Sequence, residues 1–245
     1  MKITTKLIGL SSLVLSVAFC GCGEVGLPVI SSAMRNADAS TMTLNGRKLI
    51  QGIMQANIER QGKLSSVWPR TVVEEGAGSS DDVASHAFKS AAEYFNVLFD
   101  MAHYGTSEWD PLVDGDLLST LGKNAVVGNR IDPNGLDWCI AANVVDETPD
   151  FIPVLISANV NPALLPCNAF DGQDSSQLPI GPKSGAERSM LGDKMIVLVR
   201  KSGAAESIKE KYARYDILFN KQSFDNSSRE AKIVWLTPSG IAAHP

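Results

Sequence analysis

The sequence predicts an α+β fold: a long N-terminal helix packed on an antiparallel β-sheet, with a second helix before the sheet. Three observations carry this. Apolar residues between Ile30 and Met54 recur at steps of three and four, the spacing of one helix face. After Gly135 the pattern shortens to β-branched runs bounded by Pro, Gly, Asn or Asp, the marks of strands. The links between those runs are too short for crossover helices, which makes the strands antiparallel.

The first helix is expected over about 29–61, opened by Pro28 and closed by Gly62. Its stripe runs through Ile30, Ala33, Met34, Ala37, Thr41 and Leu44, and is continued by Leu49, Ile50, Ile53, Met54 and Asn57, with Gly46 as a weak point within it. Next comes the loop SVWPRTVVEEGAGSSDD. Ser79 and Asp82 offer a capping-box-like start for a second helix over about 81–103, whose face would be Val83, Ala84, Ala87, Phe88, Ala91, Phe95, Leu98, Phe99 and Ala102. A shorter helical piece is expected over 112–122. Strands are expected at 138–145, 153–160, 194–200, 215–220 and 231–237, giving a sheet over about 137–237. A polar excursion at 168–187 interrupts the strands, long enough to be a functional or mobile loop.

The chain has 245 residues and a formal net charge of -5. No Lys/Arg cluster stands out along it, so the field that draws nucleic acid or anionic lipid is not expected. Lys2 and Lys6 precede the uncharged run Leu7–Cys22, the layout of an export signal. Residues 1–22 are therefore expected to be a signal or membrane anchor and 23–245 one folded domain. Three fates of the start remain open. Phe19-Cys20-Gly21-Cys22 resembles a lipobox with Cys22 as the lipidated residue; simple cleavage and a retained apolar helix are the alternatives. All three place the body outside the cytoplasm, in the periplasm or at the cell surface. There Cys139 and Cys167 are a candidate disulfide, worth about 3.6 kcal/mol on the chain-entropy model; two buried thiols are the other reading.

Reactive chemistry is hard to assemble. His86, His103 and His244 are scattered, and no nucleophile-elbow, zincin or P-loop spacing occurs. Zinc lacks a ligand pattern. Calcium has two oxygen-rich stretches, Asp110, Asp114 and Asp116, and Asp132, Asn134 and Asp137, but neither closes with a distal bidentate Glu. Glu74, Glu75, Asp146 and Glu147 are carboxylates for a hydrolase. Trp68, Trp109, Trp138 and Trp235 are the aromatic candidates for a glycan-binding module, with Trp138 and Trp235 read first as core. The expectation is a non-enzymatic protein with no cofactor and no metal.

The order of an apolar start, LPVISSAMRNAD, a long helix, WPRT, a second helix containing EYF and then an antiparallel sheet resembles type IV pilin-like proteins, in particular type II secretion pseudopilins. DWCIAANVVDETPDFIPVLISANVN and LGDKMIVLVRKSGAA are similar to the sheet half of a subset of that family. The likeness spans about 27–71 and 137–205, half of the chain. It departs from the family at the start: Lys6 stands before Leu7 in place of the prepilin Gly, and Ser11 stands where the family has Glu. The resemblance implies a structural or accessory subunit of a type IV pilus-like or type II secretion-like envelope assembly. Its partners would be other pilin-like proteins or further copies of itself, with the membrane reached through the N-terminus. The assembly face it implies on the first helix is Ile30, Met34, Ala37, Leu44, Leu49, Ile50 and Ile53. An exported lipoprotein that binds a glycan or peptide through 168–187 is the alternative, and an envelope hydrolase the third.

Overall fold

The computed structural model describes residues 26–60, 67–72, 83, 86–101, 113–160, 180, 191–214 and 233–242, with side chains of the first helix from residue 32 to residue 59. Helix α1 spans Gly26–Arg60 and is roughly 52 Å long at about 1.5 Å per residue. Pro28 falls in its first turn, where a missing N–H leaves no helical bond unmade. Ala39, Met42, Gly46, Leu49, Ile50, Ile53 and Ala56 form its buried stripe. Each large side chain in such a stripe contributes about 1.5–3 kcal/mol on burial.

The stripe lies against a five-stranded antiparallel sheet. A two-stranded hairpin, β1 (Val126–Val127) and β2 (Arg130–Ile131), comes first in the chain and stands apart from it. The sheet is built from β3 (Trp138–Ala142), β4 (Pro153–Ser157), β5 (Met195–Arg200), β6 (Ala205–Lys209) and β7 (Val234–Leu236), in the order β6-β5-β4-β3-β7. Val199, Leu155, Ile140 and Leu236 are aligned across four strands and share one face. Every residue of β3 and β4 is buried. Sheet strands normally alternate apolar and polar when one face meets water, so these continuous apolar runs mean that both faces are covered. Helix α1 covers the β5 and β6 end of one face.

Gly46 is a point of close approach between α1 and the sheet. A Cβ there would lie 2.7 Å from both Trp138 Cη2 and Val199 Cγ2. The glycine expected to be a weak point in α1 is therefore what lets the helix settle on the sheet. The indole of Trp138 is fixed from the other side, its Nε1 donating to Thr120 O at 2.9 Å.

Residues 67–71 tie three elements together: α1, α2 with the residues that lead into it, and the end of β3. Val67 N donates to Asn57 Oδ1 at the end of α1 (3.0 Å), and Val67 O accepts from Tyr94 Oη (3.2 Å). Pro69 O and Arg70 O accept from Asn143 N and Phe88 N, both at 2.8 Å. Asn143 sits at φ 64° just after β3, and its Oδ1 accepts from Thr71 N at 3.0 Å. Asn tolerates this left-handed conformation better than most residues.

The second helix is much shorter than expected: α2 is Ala91–Leu98, eight residues. Its cap is Ser90, whose Oγ accepts from Glu93 N at 3.1 Å, while Glu93 Oε2 accepts from Lys89 N at 2.7 Å. Ser79 and Asp82 lie outside the described residues. Residues 86–90 stay non-helical because the Phe88 N–H is taken by Arg70 O, a tertiary bond that overrides the apolar periodicity. The helix ends before Gly105 because Asp100 takes a φ of 47°. The N–H groups of Asp100 and Met101 then bond Val97 O and Asn96 O, a Schellman closure with Asp where Gly is usual. The piece expected at 112–122 is a 3-10 helix, Gly115–Thr120, capped by Asp114.

Strand centres fall where the sequence placed them, with β3, β4 and β7 shorter than expected. The strand expected at 215–220 lies outside the described residues. Two elements were not anticipated: the β1–β2 hairpin and β6. The latter reads AESIK, with charged residues outward along a sheet edge, a composition that guards an edge against unwanted pairing.

Candidate functional site

The residues proposed as one assembly face fall on two sides of α1. Leu49, Ile50 and Ile53 are fully buried in this chain's own core, so no partner can reach them. Met34 and Leu44 are 63% and 50% exposed, and Ala37 and Thr41 beside them are also exposed. Ile30 belongs to the same series, though its side chain lies outside the described residues. The step from Leu44 to Leu49 is five residues, which turns the series by roughly 140° around the helix. Met34, Ala37, Thr41 and Leu44 follow each other at three, four and three, the a/d spacing of a helix that meets another helix.

The other candidates resolve into structural work. Asp132 Oδ1 accepts from Asn134 N (3.0 Å) and Nδ2 (3.1 Å), a turn closed on itself. Asp114 Oδ1 caps the 3-10 helix by accepting from Asp116 N at 3.0 Å. Asp110 is outside the described residues, and among the described residues no three His, Cys, Asp or Glu side chains converge on a metal position. Asp137 is pushed up to about 6 by burial. It lies beside Gly122, where a Cβ would come within 3.1 Å of its Oδ2. His86 is not on a helix; it stacks on Phe88 at 6.0 Å between ring centres.

Trp68, Trp138 and Trp235 are all core residues at 1% exposure or less, so none is open for sugar stacking. Trp109, Glu74, Glu75, His103 and His244 lie outside the described residues, as does the loop at 168–187 apart from Ile180, which forms an antiparallel bridge with Val160. Asp146 Oδ1 accepts from Asn57 Nδ2 at 3.1 Å. The loop that carries Asp146 and Glu147 is held by the buried Lys201, whose Nζ donates to Val145 O (3.1 Å), Thr148 O (2.7 Å) and Asp146 O. Three carbonyls around one ammonium match its three donors, which makes this lysine a clamp. Cys139 is buried in β3. Cys167 and Cys22 lie outside the described residues, and no disulfide is seen among the described ones.

One grouping was missed by reading along the chain. Arg35, Lys194 and the pair Lys209 and Lys211 come from three separate segments, yet they line a single cleft where α1 passes over the β5–β6 end of the sheet. The available signal was weak: Lys209 and Lys211 alternate around Glu210 at the end of an unrecognised strand. Among the described residues no helix is long and apolar enough to cross a membrane. No family model, curated protein or solved structure matches this chain.

Proposed function

We propose that the protein is a non-enzymatic, exported, pilin-like subunit or accessory component of a cell-envelope assembly, of the type IV pilus or type II secretion kind. The observation that carries this reading is the second side of α1. The helix spends Leu49, Ile50 and Ile53 on its own sheet and leaves Met34, Ala37, Thr41 and Leu44 exposed at helix-pairing spacing toward its N-terminal end. A helix that served only its own domain would gain nothing from apolar residues on its open side. The antiparallel sheet behind it and the buried Trp-Cys strand between β4 and β7 are what the resemblance of residues 137–205 leads one to expect. The N-terminal segment, by lipid at Cys22 or by a retained apolar helix, would hold this end of α1 at the membrane.

The reading is tested in native membranes. Intact mass of the mature chain tells lipidation, cleavage and retention apart, since they differ by hundreds of daltons or more. Complexes isolated after mild cross-linking should contain the wild-type chain and lose it when Met34→Glu and Leu44→Asp are combined. A variant chain that stays in the same complexes would refute the assembly role.

A further inference from the structure

We infer that the cleft between the N-terminal half of α1 and the β5–β6 corner is a binding site for a phosphate-bearing ligand. The cleft has a volume of about 320 Å³ and is lined by Ser32, Arg35, Asn36, Lys194, Lys209 and Lys211, with Met195 and Glu210 completing it. That is the small end of the usual range for ligand sites, about 300–1,000 Å³.

The helix itself shows that the space is not a packing accident. Ser32, Arg35 and Asn36 stand at i, i+3 and i+4 on the same side of α1 as the buried stripe that begins at Ala39. Along that side, α1 changes from apolar to polar where it crosses the corner. Apolar residues there would have continued the core; instead a hydroxyl, an amide and a guanidinium face the sheet end. On the sheet side, Met195 pairs with Lys209 across β5 and β6. The chain then turns at once into the 3-10 segment Glu210–Tyr212, because Glu210 N bonds Lys194 O at 2.8 Å. This turn places Lys209 and Lys211 on either side of Glu210 at the rim.

The charges decide the class of ligand. Lys194 Nζ lies 3.0 Å from Asp193 Oδ2 and 3.2 Å from Glu210 Oε2, so its charge and the two carboxylates are largely engaged with each other. Lys209 and Lys211 are in no ion pair among the described residues; Lys211 Nζ rests 4.6 Å from the centre of the Tyr212 ring. Lys209 and Lys211 therefore bring two positive charges to the cleft in a chain whose net charge is -5. A phosphate group carries about −1.5 to −2 at neutral pH and several strong acceptor oxygens. Mobile ammonium groups and a guanidinium fork are the donors that suit it. The site is independent of the exposed stripe, which lies on the opposite side of α1.

The test uses the full-length protein and inorganic pyrophosphate as probe, followed by calorimetry. Saturable binding is expected, weakened roughly tenfold or more by Lys209→Gln combined with Lys211→Gln. Both side chains are exposed, so the fold should persist. Lys123→Gln, on an exposed turn elsewhere, should leave binding unchanged. Vesicles then identify the source of the phosphate. Excess sedimentation with phosphatidylglycerol over phosphatidylcholine vesicles, lost in the double variant, assigns a lipid headgroup; pyrophosphate binding without that excess assigns a soluble phosphate. No saturable binding at millimolar pyrophosphate would overturn the site. An equal loss with Lys123→Gln, or capture of poly-glutamate in place of pyrophosphate, would do the same.

Discussion

Along one side of α1, Leu49, Ile50 and Ile53 are wholly withdrawn from solvent, while along the other Met34, Ala37 and Leu44 lie open. The residue types are alike and so is the spacing. What differs is the surface opposite: β5, β6 and the indole of Trp138 on one side, nothing described on the other. Helical periodicity therefore reports that a face wants cover, and leaves unsaid whether the same chain supplies it. The charged groups sort in the same way, since the buried side turns polar as soon as it runs past the sheet.

The largest effect should come from a charge on the covered side. Ile50→Asp would bury a carboxylate among apolar groups with no cation among the buried residues of that stripe. The expected cost exceeds about 4 kcal/mol, enough to leave little folded protein. Circular dichroism and urea unfolding would show it; a folded Ile50→Asp protein with a wild-type midpoint would mean that α1 is not seated on the sheet.

The next effect acts beneath that contact and depends on pH. Asp137 precedes Trp138, and burial raises its carboxyl from 3.8 to about 6. A raised acid stabilises the fold below its unfolded value, near 3.8, and that contribution is lost as pH climbs through about 6. Asp137→Asn removes the loss. Its unfolding midpoint should match the wild type near about pH 4 and exceed it above about pH 7, by at most about 3 kcal/mol. A gap that stays constant across this range would show that the carboxyl titrates normally.

Gly46→Ala should be milder. A methyl there must push aside Trp138 and Val199, which costs about 1–3 kcal/mol, while Ala gains roughly 1 kcal/mol over Gly in helix propensity. A net loss of up to about 2 kcal/mol in urea unfolding is expected. A stabilised variant would mean that the helix can lift off the sheet at this point without loss.

The architecture was legible in the sequence because its signals are local: the α1 periodicity, the β-branched runs and the short links between them. Helix α2 was overextended because Phe88 and its neighbours carry helical spacing, and the competing bond from Phe88 N to Arg70 O joins residues far apart in the chain. Strand β6 was missed because an edge strand in water, AESIK, has no apolar alternation to read. The exposed and buried stripes were merged because a step of five residues looks like a small irregularity in a list and is a large rotation on a helix. The cationic cleft was invisible for a different reason, since four charges from three distant segments meet only after the sheet has formed.

The smallest expected effect on stability bears most on function. Leu44 is half exposed on the open side of α1, so Leu44→Asp should shift the unfolding midpoint by no more than about 0.5 kcal/mol. If that side meets another helix, the same substitution places a carboxylate in an apolar seam and should remove the protein from cross-linked envelope complexes. The two readouts together separate three cases. A folded chain missing from complexes supports the assembly role, and a large loss of stability would assign Leu44 to this chain's own core. A folded chain still present in complexes would leave the open stripe without a partner and remove the physical basis for an assembly subunit.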